Sequence, residues 1–534
     1  MSLPMPSVVS KIARAERCVL LCVPLRPQGV VNIREDGTDR DASALHAAAD
    51  FLRRFWLQVM AISAGLVIPC FWHRRIEAGD LASHVYNAWL AQLIERGQAP
   101  GLYLARQWNN VLFDLLLLKL GNLFGFAVAQ KIGVSLCVLI FFWGAFALIA
   151  AVARRPPWFL LPCLAMLAYG WTFNVGFFNY YLSLGLGFFA TAIAWSGRGR
   201  ELILAAILAA LVLLAHPQGF VWLVGCVSYV VLWRWLLGRW KLAAPGAAVF
   251  AVVVARVYSM RHYESFSVWE TFGPRIYNGS DQLALYSMRY YILSGVALLF
   301  GVGCFVADRL RRDRAQGSWA AMRLPLELHW LVVFAIYVLP DVLRVPLYSG
   351  WVGALALRLT TVAAVIGLCV LALMQSRKWH TAGFTIIAIV FFAFLYQDTA
   401  TLNRMEAQIE RLIGSDVPAG GRVTATIWTP SDSRLPYIVH MVDRACVGKC
   451  FSFQNYEPPS RQFRVRVAKD GSPLNTDDSL ASQQMEVGDY VVQPGDLPMA
   501  QIYQCDEHDL TRLCVRQLAA GEANGRIGYH PPRD

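Results

Sequence analysis

Charged residues are scarce in this chain of 534 residues: Asp, Glu, Lys and Arg make up 16% of it, against 56% hydrophobic residues. A soluble domain carries about 25% charged residues, so the composition excludes a chain built mainly of soluble domains. Several apolar runs approach the ~20 residues that cross a bilayer. We therefore predict a mainly α-helical, polytopic membrane protein.

An apolar core followed by a small-residue cleavage site is also missing from the first 40 residues, so we expect no cleavable signal peptide there. We expect residues 1–54 to form a cytoplasmic N-terminal extension. The formal net charge is +12, but the basic residues cluster between apolar runs. That placement indicates membrane orientation and argues against a nucleic-acid partner.

The apolar runs predict eleven spans, which we place at 55–72, 132–153, 158–173, 179–195, 202–215, 220–238, 241–257, 289–307, 325–340, 354–374 and 381–397. Basic loops such as "ARRPP", "SGRGRE" and "DRLRRDRAQG" alternate with less basic ones. By the positive-inside rule, the basic loops are cytoplasmic. An odd number of spans then places the C-terminal residues on the opposite face.

The predicted fold is a helical membrane bundle over 55–397, followed by an extracytoplasmic α+β domain over 398–534. Strand-like runs between turns, such as "RVTATIW" and "DYVVQP", indicate this second domain. Residues 73–131 form a long extracytoplasmic loop, in which we expect two interfacial helices. Our default setting is a bacterial inner membrane, with a cytoplasmic N-terminus and a periplasmic C-terminal domain.

Four of the twelve cysteines lie in the C-terminal domain: Cys446, Cys450, Cys505 and Cys514. An even number in an oxidising compartment suggests two disulfides. We favour Cys446–Cys450 and Cys505–Cys514, although two other pairings remain open. A zinc site is the alternative, but the C-x3-C and C-x8-C spacings fit no common zinc module.

Acidic residues gather directly after the first span, in "RRIEAGDLASHVYNAWLAQL". Glu77 and Asp80 stand at the bilayer boundary, where desolvation is costly, and His84 follows Asp80 by one helical turn. Two ordinary roles remain open: Asp80 as the N-cap of the following helix, and Glu77 as a counter-charge to neighbouring arginines. A polar and aromatic set occurs later in the same loop: Arg106, Trp108 and Asn109.

An acidic motif directly after the first span, followed by interfacial helices, resembles the GT-C glycosyltransferases. The protein O-mannosyltransferases and the lipid A aminoarabinose transferases belong to this superfamily. The resemblance implies a GT-C-like transmembrane domain over 55–397 that takes a sugar from a polyprenyl-phosphate carrier. The acceptor would be a lipid, a glycan or a protein outside the cytoplasm. The family's acids are often adjacent or one residue apart, whereas two residues separate Glu77 from Asp80, so Asp80 is the better match.

Transfer of such a sugar needs a base for the acceptor, and a carboxylate can supply it. We assign this role to Asp80, with direct attack on the anomeric carbon and inversion. Glu77 or His84 would orient Asp80. Alternatively, Asp80 and Glu77 would hold a divalent cation, Mg²⁺ or Mn²⁺, which oxygen ligands suit.

The departing phosphate calls for arginine, whose planar guanidinium makes bidentate contacts. Arg358 stands inside an apolar run near the outer end of the tenth span, where a charge is expensive and suggests function. Snorkelling to the interface is the ordinary alternative. Further candidates for substrate contact on the outer side are His216, Arg275 and Arg344.

Two other classes of protein fit part of the pattern. A secondary transporter or flippase would show internal repeats and broken helices at mid-membrane, whereas the polar groups here cluster at the outer edge. A non-catalytic assembly factor of the same fold is the second alternative. Loss of carrier-dependent turnover in an Asp80 variant would separate the transferase from both.

Overall fold

The computed structural model describes residues 44–528 apart from 198, 274, 312–316, 428, 430–432, 436–437, 439 and 507. Most of the predicted N-terminal extension, residues 1–43, therefore lies outside the described residues. Helices dominate the remainder, in agreement with the predicted fold class.

The α-helices, in chain order, are α1 (Ala44–Phe71), α2 (Leu81–Glu95), α3 (Leu112–Phe124), α4 (Phe126–Ala153), α5 (Leu161–Ala168), α6 (Trp171–Val175), α7 (Phe178–Ser196), α8 (Arg200–Ala215), α9 (Pro217–Trp235), α10 (Trp240–His262), α11 (Val268–Phe272), α12 (Met288–Arg311), α13 (Gly317–Val338), α14 (Leu355–Ala372), α15 (Lys378–Asp416), α16 (Met441–Cys446), α17 (Glu457–Ser460) and α18 (Ser479–Glu486). The strands are β1 (Leu102–Leu104), β2 (Ser265–Ser267), β3 (Pro340–Arg344), β4 (Trp351–Val352), β5 (Arg422–Thr426), β6 (Phe451–Ser452), β7 (Val465–Val467), β8 (Met499–Gln504) and β9 (Leu513–Leu518).

Eight helical segments in the described part of the chain are long and apolar enough to cross a membrane: Ala48–Phe71, Phe126–Ala153, Trp158–Val175, Trp240–His262, Met288–Arg311, Ala320–Val338, Leu355–Ala372 and Lys378–Asp416. They identify the chain as an integral membrane protein. Our eleven predicted spans include three further helices. Of these, α8 is short, and α7 and α9 begin with the polar stretches "FNYY" and "PQG".

The centre of the bundle is formed by α4, α7 and α14, whose residues are largely buried, while α1 and α10 expose most of their apolar surface. Small residues let α4 and α7 approach closely. A Cβ at Gly144 would lie 2.3 Å from the carbonyl oxygen of Gly185. The two backbones therefore touch where a larger residue would separate them.

Helix α15 is longer than its predicted span of 381–397 and continues for 39 residues. The sequence suggests a separate amphipathic helix after residue 400, but no glycine or proline interrupts the chain there. At 1.5 Å per residue α15 is about 58 Å long, roughly twice the ~30 Å hydrocarbon core of a bilayer. Its C-terminal half thus projects beyond the membrane and carries buried Glu406.

The C-terminal residues form a four-stranded sheet in the order β6-β5-β8-β9, with β5 parallel to both neighbours and β8 antiparallel to β9. The structure joins Cys446 to Cys450 and Cys505 to Cys514. These are the two pairs that the sequence favours. The first bond closes the loop that follows α16.

The long first loop is joined to this C-terminal region. Strand β1 pairs antiparallel with β7, so that Leu102 lies opposite Val467. Helix α2 packs against both α3 and α16, and its residues are buried from Leu81 to Ala91. The first predicted interfacial helix is therefore enclosed by protein. The second, α3, leaves Leu123 and Phe124 exposed at its end.

Candidate functional site

Asp80 occupies the N-cap position of α2, but its side chain makes no capping hydrogen bond. Backbone hydrogen bonds to the segment at Asn174 and Val175, which is distant in sequence but adjacent in space, hold Asp80 in place instead. The N–H of Asp80 donates to the carbonyl of Val175 at 2.8 Å, and the N–H of Gly79 donates to that of Asn174 at 2.9 Å. The carboxylate is 21% exposed. Asp80 is therefore fixed by its backbone while its carboxylate remains free for another task.

Gly176 makes this close approach possible. Its φ of 94° lies in the left-handed region, and a Cβ there would stand 2.5 Å from the backbone nitrogen of Asp80. Only glycine satisfies both conditions without strain. Phe177 follows directly and contacts Arg358, so one short segment links Asp80 to the basic side of the site.

We predict that Gly176→Ala destabilises the protein by at least about 2 kcal/mol, because a left-handed non-glycine residue alone costs roughly 1–2 kcal/mol and the new methyl group overlaps Asp80. Thermal unfolding of purified protein measures the change. Gly414→Ala is the matched control, since nothing lies within 4 Å of that Cβ position in α15. Equal unfolding temperatures for the two variants would contradict the packing described here.

A histidine from the C-terminal region faces the Asp80 carboxylate. His440 Nε2 lies 3.5 Å from Asp80 Oδ1, and His440 Nδ1 lies 3.3 Å from Asp443 Oδ2. The ring packs against Tyr456, with 4.9 Å between centroids. Burial alone would lower the pKa of His440, but Asp443, Asp80 and Glu486 outweigh it and raise it to about 9. His440 is therefore a cation at neutral pH.

A second histidine lies on the other side of the same cluster. His84 Nδ1 is 2.8 Å from Asp114 Oδ1 and 3.7 Å from Glu457 Oε1. Asn179 donates to Asp114 at 3.0 Å and thereby orients it. Burial disfavours the charged ring, but Asp114, with help from Glu457 and Asp80, raises the pKa of His84 to about 9.

The acids of this cluster are buried and close together, and burial has the larger effect on their charge. Burial raises the pKa of Glu457, opposed by His84 and reinforced by Asp114 and Asp80. Burial likewise raises the pKa of Glu486 to about 7. Asp80 thus sits among two cationic histidines and two carboxyl groups that retain protons near neutrality.

Arg358 and His216 come together at the N-terminal end of α14. Arg358 Nη1 lies 3.4 Å from His216 Nε2, and the guanidinium stacks over Phe177 at 4.1 Å. Arg358 also interacts electrostatically with Asp80 and Tyr456. The basic pair therefore lies within electrostatic range of the acidic cluster.

Hydrogen bonding around His216 indicates a missing acceptor. The N–H of Gln218 donates to His216 Nδ1 at 3.2 Å. Burial, and then the charge of Arg358, lower the pKa of His216, so the ring is neutral and has one acceptor nitrogen. His216 Nε2 consequently carries the proton and faces a second donor, Arg358 Nη1. Arg358 Nε is buried and has no partner among the described residues. Arg358 and His216 thus hold donors without acceptors, and an anion bound at this pair would satisfy them.

Glu77 has a different environment from Asp80. Its carboxylate accepts from Arg444 at 3.0 Å, and Arg444 also pairs with Glu406. Arg75 pairs with Glu410 in the same buried network. The pKa of Glu77 is raised well above its usual range by burial and by Glu406, against the opposing charge of Arg444. Glu77 therefore joins the start of α2 to α15 and α16, and we expect a structural role for it.

The predicted Mg²⁺ or Mn²⁺ site is not supported by this geometry. Arg444 engages the Glu77 carboxylate, while Asp80 pairs with His440. Within the described ranges, no group of three or more His, Cys, Asp or Glu side chains is placed to hold a metal ion. We therefore derive no step through a metal.

The remaining predicted residues have contacts elsewhere. Arg344 pairs with Glu264 at 3.6 Å on the sheet formed by β2, β3 and β4, and Arg275 lies over the ring of Tyr291. In the β1–α3 connection, Arg106 is exposed, Trp108 is 81% exposed and Asn109 is half-buried. His84 and Arg358 interact electrostatically with Asp80, and His216 contacts Arg358, whereas these other residues make their contacts away from Asp80.

Sequence reasoning missed several residues that border Asp80, which are Asp114, His440, Asp443, Tyr456, Glu457 and Glu486. Asp114 carried a signal, because it interrupts the apolar run of α3. His440 and Asp443 are three positions apart at the start of a helix, which is a weaker signal. Nothing local links Tyr456 or Glu457 to a loop more than 350 positions earlier in the chain.

Comparison of the chain with family models, curated proteins and solved structures finds no match.

Proposed function

We propose that this protein is a membrane glycosyltransferase of the GT-C type, which moves a sugar from a polyprenyl-phosphate carrier to an acceptor outside the cytoplasm. One observation carries the proposal. The Asp80 carboxylate, which makes no capping bond, lies within electrostatic range of Arg358, and Arg358 and His216 hold donors that lack an acceptor. The reaction requires a base that deprotonates the acceptor and an anion-binding site that stabilises the departing phosphate.

In the proposed step, Asp80 removes the proton from the acceptor hydroxyl or amine. The acceptor atom forms a bond to the anomeric carbon, while the bond from that carbon to the phosphate oxygen breaks. The electron pair leaves with the phosphate, and Arg358 and His216 Nε2–H stabilise the added charge. A single displacement of this kind inverts the anomeric centre.

The location of the site favours a lipid-linked donor. Arg358 belongs to α14, one of the helices able to cross a membrane, and Asp80 follows directly after α1, which is another. A phosphate whose polyprenyl chain lies in the bilayer would reach this level without leaving the membrane. We propose the orientation predicted from the basic loops, with this site and the C-terminal region on the periplasmic side of a bacterial inner membrane.

A panel of carriers tests the proposal. Purified protein in lipid nanodiscs is given polyprenyl monophosphates and diphosphates bearing hexoses or pentoses, and sugar-free carrier is measured by mass spectrometry. We expect release with at least one carrier, accelerated by a matching acceptor. Release from none of them would contradict the proposal. Movement of intact carrier across a proteoliposome membrane, without bond cleavage, would instead identify a flippase.

A further inference from the structure

The C-terminal region places a side chain against Asp80 of the first loop. His440 stands at the start of α16, immediately before Met441, and its ring points at Asp80 of the first loop. It is 13% exposed, and Asp443 beside it is 1% exposed. Asp443 is held in turn by the hydroxyl of Ser452. A buried acid therefore fixes a histidine, which contacts the carboxylate that we assign as base.

We propose that His440, held by Asp443, is the positioning residue of the Asp80 carboxylate. Contact with Oδ1 leaves the second carboxylate oxygen to take the acceptor proton. The proposal rests on the function proposed above, because it assigns His440 a task in that reaction. It also explains why the chain joins its first loop to its C-terminal region by the β1–β7 ladder and the Arg444–Glu77 pair.

The surroundings of His440 support a positioning role over simple packing. The groups with the largest electrostatic effect on it are acids: Asp443 at the start of the same helix, Asp80 from the first loop and Glu486 from α18. Tyr456 covers one face of the ring. With both nitrogens near carboxylates, the imidazolium can turn only by giving up an ionic contact, and so its direction is fixed.

Turnover measurements test the role. We expect His440→Ala to lower kcat about 10- to 100-fold, the loss typical of a charge-assisted contact, with little change in the KM for the carrier. His440→Gln should recover part of the rate, because its amide can still donate to Asp80. His508→Ala is the matched control, since His508 is exposed in the same region. A merely structural role would lower the yield of folded protein, with no rescue by Gln. A folded His440→Ala variant with wild-type kcat would overturn the proposal.

A second readout does not depend on turnover, and so it separates this proposal from the proposed function. Dicyclohexylcarbodiimide labels protonated carboxyl groups in membrane proteins, and peptide mass spectrometry measures the labelling of Asp80. Loss of the ring that lies against Asp80 Oδ1 opens this carboxyl to the reagent, so Asp80 in His440→Ala should label at least about threefold faster than in wild type or His508→Ala. If no carrier is turned over but labelling of Asp80 rises in His440→Ala, the proposed glycosyltransferase function is wrong, while the contact between His440 and Asp80 is confirmed. Equal labelling of Asp80 in folded His440→Ala, His508→Ala and wild-type protein would contradict the positioning role of His440.

Discussion

Asp80→Asn is expected to reduce carrier-dependent transfer by about 10²- to 10⁴-fold, the usual contribution of a general base. Asparagine keeps the size of the side chain and can still meet His440, but it cannot accept the acceptor proton. Because the Asp80 side chain makes no capping bond, the substitution should leave α2 intact, and loss of the ionic contact with His440 should lower the unfolding temperature only slightly. The measurement is initial rate at saturating carrier.

Asp470→Asn is the control for this result, since Asp470 is an exposed acid of the C-terminal region. We expect it to retain the wild-type rate. Full activity of Asp80→Asn would show that another group takes the proton. In that case Glu457 and Glu486, which share the electrostatic field of Asp80, would be the next residues to test.

Arg358→Gln is the second large expected loss. The substitution removes the positive charge and the buried Nε donor that has no partner among the described residues. Contacts from charged donors contribute about 1.5–3 kcal/mol, so we expect the KM for the carrier to rise about 10- to 100-fold. The value of kcat should fall as well, because the phosphate gains charge as it leaves. Steady-state kinetics over a range of carrier concentrations separates the two effects.

Arg358→Lys distinguishes charge from geometry. Lysine keeps the charge but loses the planar fork that holds a phosphate through two bonds, so we expect intermediate activity. Arg512→Gln is the matched control, because Arg512 is 66% exposed in the C-terminal region. If Arg358→Gln keeps the wild-type KM, the phosphate binds elsewhere and snorkelling accounts for Arg358.

Local pattern was enough to predict much of the membrane domain. Apolar runs predicted α4 at 132–153, and the helix spans Phe126–Ala153. The position of Asp80 before a helix was also predictable, since Leu81 begins α2. These features depend on neighbours in the chain, which is why periodicity and composition indicate them.

Contacts between distant segments were not predictable. Glu77 and Arg444 are 367 positions apart, and no local pattern distinguishes an acid that pairs with such a partner from one that acts on substrate. The same holds for His440, because its contact with Asp80 forms only when the C-terminal region packs against the first loop. Sequence alone therefore grouped Glu77 with Asp80, whereas their contacts separate them.

The central claim is that one site has a base at Asp80 and an anion-binding half at Arg358 and His216. Binding of sugar-free polyprenyl phosphate to wild type, Asp80→Asn and Arg358→Gln in nanodiscs tests it most directly. The account predicts that Asp80→Asn binds as tightly as wild type, while Arg358→Gln binds at least about tenfold more weakly. Equal affinity in all three proteins, or weak binding by Asp80→Asn alone, would contradict it.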